Sequence, residues 1–142
     1  MTASTIALIE RYYASFNAGD SEAMLACVSE DVVHDVNQGR RRTGKVAFRD
    51  FSKHMERCYA EQLENVTIMA SPDGLRAAAE FEVLGTYIET DSGLPPANGQ
   101  TYRLPAGTFF EVKDGLISRV TTYYNLADWL RQIAAPGSEK GS

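Results

Sequence analysis

Apolar positions along the chain change period once, and that change predicts how the fold is organised. From Thr5 to Asn17, Ile6, Ile9, Tyr13 and Phe16 recur three and four residues apart, with Tyr12 at the edge of their stripe. This is the period of an amphipathic helix. Ala18-Gly19-Asp20 ends it, Gly19 being free to take a left-handed conformation. Asp20 or Ser21 then caps a second, short helix carrying Met24, Leu25 and Val28. Val32-Val33 opens an extended segment that runs through His34-Asp35-Val36 into the turn formers Asn37-Gln38-Gly39. After Gly44 a third helix puts Phe48, Phe51, Met55 and Tyr59 on one face.

Beyond that helix the period becomes two. Gln62 to Met69 alternates weakly as far as the turn Ser71-Pro72-Asp73-Gly74. Ala77 to Ile88 alternates clearly, Ala79, Phe81 and Val83 against Glu80, Glu82 and Leu84. A loop at Asp91-Ser92-Gly93-Leu94-Pro95-Pro96 leads to a long strand from Thr101 to Val112. Lys113-Asp114-Gly115 is a tight hairpin turn, and Leu116 to Tyr124 is the last strand. Asn125 can cap a closing helix with Leu126, Trp129, Leu130 and Ile133 on one face. Three helices followed by a four-strand antiparallel meander is a segregated α+β order. A curved sheet of this kind wraps its helices and leaves a conical cavity suited to a small molecule.

Composition bounds this picture without changing it. The 142 residues suit one domain, predicted over 1–135, followed by a polar tail at 136–142. A chain of this size buries roughly 70% of its unfolded surface and needs no disulfide or metal staple. A net charge of -5 provides no basic field for phosphate backbones, so nucleic acid is excluded as a partner. Arg40-Arg41-Arg42 is the local exception, read either as a solvated turn or as an anion clamp. Cys27 and Cys58 have no C-x-x-C or metal spacing and lie beside apolar residues, which suits a reducing cytoplasm. No apolar run reaches membrane-spanning length, so a soluble cytoplasmic protein is expected. His34 and His54 lack ligand spacing and no glycine-rich phosphate loop occurs, so neither metal nor cofactor is expected.

Specific residues carry a family resemblance over about residues 5 to 125. Arg11-Tyr12-Tyr13-Ala14-Ser15-Phe16-Asn17-Ala18-Gly19-Asp20 resembles the first-helix motif of ketosteroid isomerase and its relatives. The His34-Asp35 run with Thr43-Gly44-Lys45 and Phe48-Arg49-Asp50-Phe51 is similar to the next family segment. Phe109-Phe110-Glu111-Val112, Asp114-Gly115-Leu116-Ile117 and Thr121-Thr122-Tyr123-Tyr124-Asn125 match the closing pattern. The chain looks like a ketosteroid-isomerase-related, SnoaL-like member of the NTF2-like superfamily. That resemblance implies a cone-shaped α+β roll, with three N-terminal helices on a curved, mainly antiparallel sheet and a short C-terminal helix. It also implies a homodimer formed through the open sheet face, with which Tyr87 and Tyr123 are compatible. It does not fix an activity, because one fold hosts many chemistries.

The resemblance directs attention to a base, a tyrosine and an acidic donor, the parts that move a proton beside a carbonyl. Tyr12 takes the family tyrosine's place as oxyanion donor. For the base, a gap-free reading puts Val36 at the base position and His34 two residues earlier. A one-residue deletion puts Asp35 there, with Asn37 on its face. Strand alternation lets only one of these pairs point inward unless a bulge intervenes. Gly107 falls where the acidic donor would be, so a true steroid isomerase is not expected. Arg119, Thr121, Tyr123 and Asn125 share one face of the last strand, which the gap-free register turns into the cavity. Phe16, Phe51, Met55, Tyr59 and Tyr102 complete the expected substrate-binding set. Three readings fit: a cofactor-independent isomerase, dehydratase or cyclase acting on a small apolar carbonyl or enol compound, a non-catalytic ligand-binding or interaction module, or a purely structural dimer whose cavity is closed by its own side chains.

Overall fold

A computed structural model describes residues 2–134. The predicted boundary at residue 135 and the tail beyond it lie outside the described residues. Helix α1 (Thr2–Ala18) buries Ile9, Tyr12 and Tyr13, so Tyr12 is central to its inner face rather than marginal. Gly19 ends it at φ 72, and Asp20 caps α2 (Ser21–Leu25) by accepting from the Ala23 N–H at 3.1 Å. α2 stops before Val28, which instead begins β1 (Val28–Val36). β2 (Arg42–Thr43) is a short edge strand, and α3 (Lys45–Cys58) follows Gly44. Then come β3 (Tyr59–Ala70), β4 (Arg76–Tyr87), β5 (Thr101–Lys113), β6 (Leu116–Tyr124) and α4 (Leu126–Ala134).

The sheet order is β2-β1-β6-β5-β4-β3. The expected meander supplies β3 to β6, all antiparallel, and β1 adds to its free edge parallel to β6. The β5–β6 turn is a two-residue hairpin with Asp114 at φ 54 and Gly115 at φ 78. Both central residues are left-handed, the geometry that Asp-Gly favours and that matches strand twist.

Two bulges bend the sheet. In β3, Glu64 pairs with Glu82 but Thr67 pairs with Glu80, so Asn65 and Val66 oppose Phe81 alone. Asn65 takes φ 57, a conformation asparagine tolerates. The Asn17 side chain holds the strand just before this bulge, donating to the Leu63 carbonyl at 3.0 Å and accepting its N–H at 2.9 Å. In β6, Ile117 pairs with Val112 and Arg119 with Glu111, leaving Ser118 extra. A bulge inverts the phase of alternation beyond it.

Within the roll, one cluster joins α1, α2, β1 and the sheet centre around Ile9, Tyr13, Phe81 and Phe110. A second closes the other end, where Trp129 and Ile133 of α4 pack on Cys58, Tyr59, Tyr87 and Tyr102. The β4–β5 loop is tied to this second cluster. The Tyr87 hydroxyl donates to the Pro95 carbonyl at 2.6 Å, and buried Gln100 donates to the carbonyls of Pro96 and Ile133. Among the described residues no helix is long and apolar enough to cross a membrane.

Candidate functional site in the roll

The inner face of the sheet is set by the register. Glu61, Gly85 and Tyr102 stand side by side on β3, β4 and β5. All three point inward, because their alternate neighbours Tyr59, Leu63, Tyr87 and Leu104 are core residues. The Tyr102 ring lies across Gly85 and its phenol donates to the Glu61 carboxylate. Only a residue without a side chain leaves room: a Cβ on Gly85 would fall inside van der Waals contact of Tyr102 Cζ, Cε2 and Oη. From the other side, the Trp129 indole N–H supports the Tyr102 oxygen. Trp129, Tyr102 and Glu61 thus form one chain of donors ending on a carboxylate.

Burial pushes the Glu61 carboxyl up, and the Tyr102 phenol works against that by stabilising the charge. Tyr102 and Tyr124 are both raised, first by burial and then by the Glu61 charge. Glu61 is enclosed by protein yet keeps accessible surface, as do the inward Met55, Val83 and Tyr124. Glu61 is therefore a carboxyl turned into the roll, partly covered and bonded by the Tyr102 phenol.

The residues expected from sequence divide between the two faces. His34 is inward and 6% exposed, packed against the rings of Phe48 and Phe51. Burial, and then the Arg42 charge, lower it to about 4, with Asp35 opposing. Its Nδ1 has no hydrogen-bond partner among the described residues. Tyr12 is equally buried, edge-on to Tyr13 and Phe110, and its phenol is held far above its usual range by burial first. His34 and Tyr12 sit near one row of the sheet, since His34 pairs with Val120 and Val120 with Phe110. That row meets β5 eight residues from Tyr102, about 26 Å of extended strand.

Asp35 points the other way. Arg41 holds it at 2.8 and 2.9 Å and the Thr121 hydroxyl donates to it at 2.7 Å. Those contacts, the Arg41 bonds foremost, lower its carboxyl to about 2. Arg119 belongs to the same outer network, donating to Glu111 at 3.0 Å and Thr121 at 2.7 Å. Tyr123 is also outside, with its ring on Phe109. The expectation that Arg119 and Tyr123 line the cavity is corrected by the β6 bulge, which turns Val120, Thr122 and Tyr124 inward instead. Likewise Thr108, not Gly107, faces inward on β5, where it bonds the Tyr13 phenol. Glu80 and Glu82 are outer residues, Glu82 paired with Arg103.

The remaining expected binding residues serve structure in part. Asn125 is exposed and caps α4 through the Asp128 N–H at 3.0 Å. Asn37 turns the chain at φ 51 and accepts the Tyr124 N–H at 2.8 Å, while its Nδ2 lacks a partner among the described residues. Tyr59 donates to Asp91 at 2.7 Å, Phe51 carries the Arg42 guanidinium at 4.5 Å, and Phe16 packs against the first cluster. Sequence reasoning missed Glu61. Its signal was a carboxylate in phase with Tyr59 and Leu63, just before the segment read as a strand.

Comparison with known proteins agrees with this architecture. The model of the SnoaL-like domain matches residues 9–120. A candidate polyketide cyclase from Pseudomonas putida KT2440 is 56% identical, with a TM-score of 0.89 over 94% of this chain and 98% of that one. Another, from Xanthomonas campestris pv. campestris, is 50% identical, with a TM-score of 0.90 over 93% and 98%. An LEH-like epoxide hydrolase of M. tuberculosis shares the fold at 16% identity, with a TM-score of 0.75 over 94% and 86%. A search of curated proteins finds no match. The roll with its curved six-stranded sheet is NTF2-like, and the chain belongs to the SnoaL-like domain family.

Proposed function

We propose that this protein is a cofactor-independent acid–base enzyme of the isomerase, dehydratase or cyclase type, acting on a small apolar carbonyl or enol compound. The reading rests on one observation: Glu61, turned into the roll and only partly covered, is bonded by the Tyr102 phenol and raised by burial. A carboxyl raised by burial is the stronger base once ionised, which is what abstraction of a proton beside a carbonyl calls for. The Glu61 carboxylate takes a proton from carbon beside the substrate carbonyl, leaving an enolate, and returns that proton to another carbon or to oxygen. No net charge or electron is gained. The Tyr102 phenol, backed by Trp129, holds the carboxylate oriented. Named for what they do, Glu61 is the catalytic residue and Tyr102 its positioning partner. This moves the chemistry away from Asp35, His34 and Tyr12, because Asp35 is outside and the other two are sealed in the core. The candidate polyketide cyclases at 50–56% identity support the substrate class.

Turnover of a panel of enones, β-hydroxy ketones and small acids tests this. With any accepted compound, Glu61→Gln is expected to lower kcat by about 100-fold or more. Tyr102→Phe is expected to lose about tenfold and to shift the acid limb of the pH–rate profile upward. Asp35→Asn is expected to leave kcat within a factor of about two. Undiminished turnover by Glu61→Gln would rule the assignment out.

The outer face supports a second part of the reading, pairing with another copy of the chain. Met69, Phe109, Tyr123 and Leu126 are exposed apolar residues on a groove of about 840 Å³. Exposed apolar residues gathered on one face fit a contact with another copy of the chain. The protein is expected to sediment as a dimer and Phe109→Glu as a monomer. Sedimentation of the wild type as a monomer at micromolar concentration counts against this.

A further inference from the structure

The roll has a second cluster of reactive groups at its closed end, apart from Glu61. His54 and Cys58 stand four apart on the last turns of α3, and Asp91 comes from the β4–β5 loop. One ligand atom from each lies within 4.8 Å of the others. His54 Nε2 and Asp91 Oδ1 are 2.8 Å apart. From these residues we propose that the cluster binds a divalent metal of the zinc class, held by His54 Nε2, Cys58 Sγ and one Asp91 oxygen. A thiolate, an imidazole and a carboxylate form the mixed sulfur, nitrogen and oxygen donor set that zinc takes, and three protein ligands leave a fourth position for water.

The surroundings fit a metal in two ways. The second Asp91 oxygen accepts from the Tyr59 phenol at 2.7 Å, and the Asp91 N–H donates to the Tyr87 hydroxyl at 2.9 Å. The carboxylate is thereby held from behind, as outer contacts hold metal ligands. The opening also fits: Cys58 is 1% exposed, whereas the His54 side chain is 37% exposed, so an ion arrives from the solvent side and meets the thiol inside. One contact must change. Arg57 donates to His54 Nδ1 at 3.0 Å, which places the imidazole proton on Nε2 toward Asp91. On coordination that proton moves to Nδ1 and the Cys58 thiol proton leaves to solvent. Arg57 then swings fully to Glu89, with which it already pairs at 3.2 Å. Arg57 therefore opposes the metal, and its removal strengthens binding.

Cobalt(II) added to untagged, metal-stripped protein reads the site directly. Expected are visible bands of four-coordinate cobalt with a near-ultraviolet thiolate band, both bleached by equimolar zinc. His54→Gln and Asp91→Asn, at partly exposed positions, are expected to weaken binding by more than about 100-fold while circular dichroism stays unchanged. Cys58→Ser is expected to lose the thiolate band, and Arg57→Ala to bind about tenfold more tightly. The proposal is overturned if excess cobalt gives no bands, or if binding survives in His54→Gln and Asp91→Asn.

Discussion

Alanine at Gly85 is expected to destabilise the protein by about 3 kcal/mol, a large loss for one methyl group. The added Cβ meets Tyr102 Cζ, Cε2 and Oη, so the ring must leave the row it shares with Glu61. Overpacking of this kind costs about 1–3 kcal/mol. Withdrawing the phenol leaves a buried carboxyl without its donor, worth about another 1–3 kcal/mol. Because the phenol stabilises the Glu61 charge, its loss raises the carboxyl further. The sign follows: the penalty grows with the charge on Glu61, so it is larger at higher pH and shrinks as acid protonates the carboxyl in both proteins. Urea unfolding at pH 7 and near pH 4.5 measures this. A double-mutant cycle with Tyr102→Ala isolates the cause, since Gly85→Ala should cost under about 1 kcal/mol once the ring is gone. Equal cost in both backgrounds would show that Gly85 serves something other than the Tyr102 ring.

Much of the fold was legible because the chain switches period cleanly. The α1 helix, the Gly19 stop, the Asp114-Gly115 hairpin and the order of the meander follow from local chemistry, whereas the buried stripe of α1 is turned toward Thr5, Leu8 and Tyr12. The candidate site was less legible, for reasons that can be named. Thr121-Thr122-Tyr123-Tyr124 reads the same in either phase, so nothing in β6 could reveal that Ser118 is bulged and the inner face inverted. In β1 the irregularity falls between Val28 and Val33, before the His34-Asp35 pair rather than after it. His34 is therefore inside and Asp35 outside.

Glu61 escaped notice because α3 passes into β3 at Cys58-Tyr59 with no glycine or proline to mark the boundary. By period alone the strand starts at Gln62, one residue past Glu61, whereas β3 begins at Tyr59. Asp91 was invisible for a different reason. Its partners His54 and Cys58 are more than thirty residues away, joined to it only by the fold. The outward Arg119, by contrast, has a partner that was not anticipated: it shares Thr121 with Asp35 and pairs with Glu111. The charges expected to be catalytic thus neutralise one another on the outer sheet, while Glu61 stands on the inner face against the Tyr102 phenol.

His34 is expected to make the protein acid-sensitive well above the range in which carboxylates protonate. Its imidazole is buried and lowered from about 6.5 to about 4. A base whose folded value is depressed contributes stability that is complete above its unfolded value. That stability is lost as pH falls, because the unfolded chain takes the proton first. The difference of roughly 2.5 units corresponds to about 3 kcal/mol, lost between pH 6.5 and pH 4. Asp35 cannot account for a loss in this window, since its carboxyl lies at about 2 and yields only below its own unfolded value near 3.8. Glu61 acts with the opposite sign, its raised carboxyl favouring the folded state as acid is added. Comparison of the wild type with His34→Leu cancels both carboxyl contributions. The gap in unfolding free energy between them should move by about 3 kcal/mol from pH 7.5 to pH 4, the wild type losing ground. The unpartnered Nδ1 points to the same end: a buried imidazole with one bare nitrogen has no acceptor waiting for a second proton. If the two proteins run parallel across that window, the buried imidazole is not what opens the roll in acid.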